Sequence, residues 1–105
     1  MRNLLVVLAA GLTLAAATSA QAQNQVVQGR ITNISFSSPG NFSMRVTLDT
    51  TLTQCSNNFV FLDTSFGNYQ AYAAGLMSAY ALSKPINVTY TVQSNGFCAM
   101  LEYSY

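Results

Sequence analysis

Apolar and polar residues alternate along most of this chain, and the places where the alternation breaks mark its elements. The most regular stretch sets Phe42, Met44, Val46 and Leu48 against Ser43, Arg45, Thr47 and Asp49. Successive side chains of a strand point to opposite faces, so this run predicts a strand with one buried and one wet face. Upstream, Val27, Gly29 and Ile31 share a phase that shifts to Ile34 and Phe36. That shift predicts a long first strand over Val26 to Phe36, interrupted by a bulge or bend. The intervening Ser37-Ser38-Pro39-Gly40-Asn41 is a turn signal, because Pro presets one φ angle and Gly supplies a positive one. A short apolar run, Phe59-Val60-Phe61-Leu62, fits a third strand covered on both faces.

Between Ser65 and Ser83 the period lengthens from two to nearly four. Tyr69, Tyr72, Ala73, Leu76, Met77 and Tyr80 recur at helical spacing among alanines, which predicts one amphipathic helix with Tyr72 and Tyr80 in the core. Asp63, Thr64, Ser65 and Asn68 are candidate N-caps, Lys84 suits the negative C-terminal end, and Pro85 forbids continuation. Alternation then returns in Ile86, Val88, Tyr90 and Val92, a fourth strand. Asn95-Gly96 signals a hairpin of type I′ leading to a fifth strand from Phe97 to Tyr103, with Ala99, Leu101 and Tyr103 on one face and Cys98, Met100 and Glu102 on the other.

The resulting order is three strands, a helix and two strands, a β-rich α+β pattern. It is the order of a small five-stranded OB-type barrel with one helix between strands 3 and 4. A flat sheet with the helix on one face is the alternative.

The N-terminus reads differently. Arg2, the apolar run Leu4 to Ala17 and the small-residue site Ala20-Gln21-Ala22 form the three parts of a secretory signal, short and Ala-rich in the bacterial style. Residues 1–22 are therefore assigned to a signal peptide cleaved after Ala22, and 23–105 to a single small β-barrel domain, secreted or periplasmic. The apolar run is too short for a membrane anchor, which needs about 20 predominantly apolar residues, so no stable span is expected after cleavage. Removing 22 of the 105 residues leaves 83. A domain that small buries a modest fraction of its surface and gains from a covalent staple. Cys55 and Cys98 supply one, since an even cysteine count in an oxidising compartment predicts a disulfide.

Charge narrows the function classes. Arg30, Arg45 and Lys84 balance Asp49, Asp63 and Glu102 in the mature chain, so no cluster of cations exists to neutralise phosphates and nucleic acid is excluded as a partner. The chain has no histidine, which removes the commonest general base and the Ser-His and Cys-His pairs. Asp49, Asp63 and Glu102 lie in different elements, so a hydrolytic carboxylate pair would require two of them to converge. No metal-ligand spacing or phosphate-binding glycine loop is present, and no cofactor is expected. The reading is of a non-enzymatic protein.

What remains is a neutral surface of Ser, Thr, Asn, Gln and six Tyr. Tyr103 and Tyr105, at the chain end, suit an interface as well as plain exposure. Asn33-Ile34-Ser35, Asn41-Phe42-Ser43 and Asn87-Val88-Thr89 match the glycan-acceptor triplet, as composition alone would produce.

The stretch Tyr72-Ala73-Ala74-Gly75-Leu76-Met77-Ser78-Ala79-Tyr80-Ala81-Leu82-Ser83-Lys84-Pro85-Ile86-Asn87-Val88, with the opening Gly29-Arg30-Ile31, the two cysteines and the element order, resembles small secreted bacterial OB-type proteins. The B subunits of subtilase-cytotoxin-like and pertussis-like toxins belong to that group. The resemblance implies an OB-type barrel and, for toxin members, a pentameric ring that binds host glycans. It is one of pattern, and no sugar-binding residue carries over. Two readings follow. One is a binding module for a glycan or protein, with polar loops around Ser35–Asn41 and Gln54–Asn58 meeting the ligand and homo-oligomerisation open. The other is a small structural envelope protein that self-assembles, with Tyr103 and Tyr105 at the contact.

Overall fold

A computed structural model describes residues 24–105, and the expected signal peptide lies outside them. Six strands form one sheet: β1 (Asn24–Gly29), β2 (Ile31–Phe36), β3 (Met44–Leu48), β4 (Val60–Leu62), β5 (Ile86–Val92) and β6 (Cys98–Ser104). Helix α1 (Tyr69–Ala81) stands between β4 and β5, and a single 3-10 turn covers Ser56–Asn58. The β-rich α+β composition is as expected, but the sheet has six strands where five were predicted, because the first strand is divided at Arg30. The order across the sheet is β1-β5-β6-β4-β3-β2, so the ladder ends at β1 and β2, which do not pair with each other. The β4–β6 pair is parallel and the other pairs are antiparallel.

The division has a local cause. Arg30 N–H donates to Asp49 Oδ1 at 2.8 Å, Asp49 N–H donates to Arg30 O at 2.8 Å, and Thr50 Oγ1 donates to Gln28 O at 2.6 Å. A Cβ on Gly29 would lie 2.7 Å from Asp49 Oδ1, so only glycine lets these groups close on the bend. The predicted phase shift is a register shift between Ile31 and Asn33 in the β2–β3 ladder. Phe36, expected inward, is 59% exposed.

Met44, Val46 and Leu48 are buried with Val60, Leu62, Ile86, Val88, Tyr90, Cys98 and Met100 in one continuous core. Cys55 and Cys98 form a disulfide with Cα atoms 5.4 Å apart, joining positions 43 apart across the helix insertion. Closing a loop of that length stabilises the fold by about 4 kcal/mol in the chain-entropy account.

Three expectations need correction. The buried edge of α1 is Ala73, Leu76 and Ala79, whereas Met77 and Tyr80 are 49% and 43% exposed. Small side chains let the helix sit close to the sheet, and Gly75 extends that close approach: a methyl group there would collide with the Tyr103 hydroxyl. In β6 the register slips between Thr89 and Tyr90 of its partner, so Leu101 bulges out and Tyr103 turns to the core side with Cys98 and Met100. The hairpin at Asn95-Gly96 forms, but only Gly96 has positive φ, at +89°. Gly96 N–H donates to Gln93 O, and Gln93 N–H to Phe97 O, which is a three-residue loop ending in a left-handed glycine and not a type I′ turn.

Helix α1 ends as Pro85 requires. Lys84 N–H donates to Ala79 O and Ser83 N–H to Tyr80 O, a Schellman pair with Ser83 left-handed at φ +53° where glycine is usual. No helix among the described residues is long and apolar enough to cross a membrane.

Candidate functional site

The segment before β3 departs furthest from its sequence pattern. Phe42 was expected on the buried face with Met44 and Val46; instead it leaves the strand with φ +51°, a conformation that costs a bulky side chain about 1–2 kcal/mol. Two charged residues hold the turn in this state. Asp63 accepts from Gly40 N–H at 3.0 Å, Ser43 Oγ at 2.7 Å and Ser65 Oγ at 3.0 Å. On the other side, Arg45 donates from Nε to Phe42 O at 3.3 Å and from Nη2 to Asn41 O at 3.1 Å. These bonds, chiefly that from the Ser43 hydroxyl and then those from Gly40 N–H and Ser65, hold the Asp63 carboxyl well below the usual carboxylate range. Ser43 is 2% exposed, and its hydroxyl is satisfied by this carboxylate.

The turn places the Phe42 ring at the hub of a cluster on the face of the sheet opposite the core. Its centroid lies 4.5 Å from Phe61, 4.7 Å from Phe97 and 6.1 Å from Phe59, and Phe59 lies 5.7 Å from Phe97. Strand register explains the convergence: Arg45 is opposite Phe61, and Phe61 is opposite Ala99, so the three share the outer face across β3, β4 and β6. The Arg45 guanidinium sits 5.6 Å from the Phe59 centroid and 6.0 Å from that of Phe42. Phe59 and Phe61 are buried beneath the cluster, while Phe42 and Phe97 are half-buried at its surface.

The two loops expected to meet a ligand flank this platform. Ser35–Asn41 leads into Phe42, and Gln54–Asn58 leads into Phe59. The second loop is tied to the 93–97 hairpin by Ser56 N–H donating to Gly96 O at 2.9 Å and by the disulfide. Three amides of these loops and the hairpin are engaged within the fold, however. Asn41 Nδ2 donates to Ser37 Oγ, Asn58 Oδ1 accepts from Leu52 N–H, and Asn95 Oδ1 accepts from Phe97 N–H.

A second aromatic group lies between α1 and β6. Tyr72 and Tyr103 meet edge to face at 5.3 Å, flanked by Phe66 at 4.9 Å from Tyr72 and Tyr105 at 6.1 Å from Tyr103. Tyr103 Oη donates to Tyr72 O at 3.0 Å, and Tyr72 Oη donates to Leu101 O at 3.4 Å. Burial, then the neighbouring Tyr105 and Tyr72, raise the Tyr103 phenol above its ordinary value. Tyr103 thus joins helix to strand within its own chain, while Tyr105 is exposed with Lys84 Nζ 4.7 Å from its ring centroid.

The three carboxylates serve separate places. Asp49 fastens the bend at Arg30, Asp63 fastens the turn, and Glu102 is exposed on β6. No group of three or more potential metal ligands occurs among the described residues. A depression of about 550 Å³ at the start of α1 is lined by residues 64 and 66–71, all from one short segment of chain. Of the three acceptor triplets, Asn33 and Asn87 are exposed, and that of Asn41 has its Ser43 hydroxyl buried on Asp63.

The sequence pattern missed the platform because Phe42 fits the alternation of β3 perfectly well as an inward residue. One signal was available: Phe59 and Phe61 are out of phase with Val60 and Leu62, so a second apolar surface had to cover them. No family model matches this chain, and no curated protein or solved structure matches it.

Proposed function

We propose that this chain is a secreted or periplasmic, non-enzymatic binding module built as an OB-type barrel, with the phenylalanine platform as its ligand face. The barrel reading is supported by the sheet order: β1 and β2 are consecutive in the chain yet stand at opposite ends of the ladder, so one bent strand borders both ends. In barrels of this type the second and third strands and the loops after the first and fourth strands form the ligand surface. Here those parts correspond to β3, β4, the 37–43 turn and the 93–97 hairpin.

The observation that carries the reading is Phe42, a bulky residue in the left-handed region, held there from opposite sides by Asp63 and Arg45. Backbone strain at a fixed, half-exposed aromatic suits a surface shaped in advance for a partner. Glycan and protein are the two ligand classes this leaves. Glycan arrays and displayed peptide libraries probed with the wild type and with Phe97→Ala test it. Loss of a retained ligand with Phe97→Ala supports the platform, and equal retention by both proteins would refute it. A toxin-like ring would in addition give a pentameric mass by light scattering, and a monomeric mass would remove that version.

A further inference from the structure

Resting on the binding-module reading, we infer that the platform receives an acidic, apolar peptide segment of a partner protein, its carboxylate on Arg45 and its apolar side chains on Phe42 and Phe97. The first argument is what the surrounding polar groups already do. A sugar is recognised by side-chain amides and hydroxyls converging on its own hydroxyls, and four of the polar side chains beside the platform already bond within the fold: Asn41 to Ser37, Ser43 to Asp63, Asn58 to Leu52 N–H and Asn95 to Phe97 N–H. The rings are phenylalanines, which bring apolar surface without a hydroxyl.

The second argument is the charge. Arg45 uses Nε and Nη2 on the carbonyls of Phe42 and Asn41, which leaves the Nη1–Nη2 end of its planar fork for a carboxylate. Neither of those bonds goes to an acid, so its positive charge is not cancelled by them. Asp63 lies behind the turn with its oxygens on Gly40, Ser43 and Ser65, and so does not compete for that end. A guanidinium fixed over two rings beside half-exposed aromatic surface has the composition of a protein hot spot, where Arg and aromatics dominate.

The test pans a random dodecapeptide phage library on the purified protein and measures the best clones as synthetic peptides. Selected peptides should carry Asp or Glu within a few residues of an aromatic or aliphatic side chain. Changing that acid to its amide should weaken binding at least tenfold, a comparison that leaves the protein untouched. Phe97→Ala should lose binding, Arg45→Lys should lose part of it, and Tyr105→Ala should retain it. Peptides without an acidic residue, or with an acid whose amide binds equally well, overturn the inference. A glycan that binds and is lost with Phe97→Ala, with no peptide selected, overturns it while leaving the binding-module reading standing. If neither library yields a ligand sensitive to Phe97→Ala, both fall.

Discussion

The two aromatic groups of this protein have similar sizes and are held in different ways. Phe66, Tyr72, Tyr103 and Tyr105 lie between helix and strand, and the hydroxyls of Tyr72 and Tyr103 end on main-chain carbonyls, each ring fastening the other's element. Phe42, Phe59, Phe61 and Phe97 lie on the outer face, held by charged residues that bond the surrounding turn, with one ring in a conformation its side chain disfavours. The first group stabilises the fold through its own contacts. The second is held in place by contacts around it, and that difference is why the proposed ligand surface is assigned to it.

The largest expected effect tests what holds the platform's loops. Replacing Cys55 and Cys98 together with serine should cost about 4 kcal/mol of unfolding free energy, read by urea denaturation. The bridge anchors both the loop leading to Phe59 and the strand beginning after Phe97, so a loss below about 1 kcal/mol would mean that the loops are held without it.

Gly75→Val sharpens the other side. Its side chain would meet the Tyr103 ring, and overpacking of this kind costs about 2–3 kcal/mol, while the platform, on the opposite face, should keep its ligand. Loss of platform binding in a folded Gly75→Val protein would show that the two groups are coupled.

A smaller effect has a diagnostic sign. At most positions Ala is better tolerated than Gly, but Phe42 has φ +51°, so Phe42→Gly should be more stable than Phe42→Ala by about 1 kcal/mol. The reverse order would remove the strain argument.

The smallest effect is in pH dependence. Asp63 titrates in the unfolded chain near its ordinary value of 3.8 and in the folded chain below it. As pH falls below that value the unfolded chain takes up a proton that the folded carboxylate refuses, so stability present above it is progressively lost toward the folded value. The urea midpoint of the wild type should therefore fall below pH about 4, and that of Asp63→Asn should fall less. Parallel curves would mean that the turn does not depend on the ionised carboxylate.

Much of the fold was legible because it is periodic. The alternation in Met44–Leu48 and Ile86–Val92, the helix before Pro85 and the phase break after Ile31 all depend on neighbours in sequence, and each appears where the pattern put it. The misplaced residues depend on partners far along the chain. Phe42 is turned outward by Asp63 and Arg45, Tyr80 is left exposed because Gly75 and Ala79 draw a different edge of the helix inward, and Tyr103 changes face at a bulge set by pairing with β5. The disulfide was readable from two cysteines, but the platform beside it was not, since its four rings come from three separate segments brought together by strand register. Two amides of the polar loops bond to partners that no local pattern shows, Asn41 to Ser37 Oγ and Asn58 to Leu52 N–H.

The central claim is that ligand meets the phenylalanine platform and not the tyrosine group. Amide-resolved NMR of the protein titrated with the selected acidic peptide tests it most directly. The account predicts shifts concentrated at residues 41–45, 59–61 and 96–99. Shifts concentrated instead at residues 66–72 and 103–105 would contradict it.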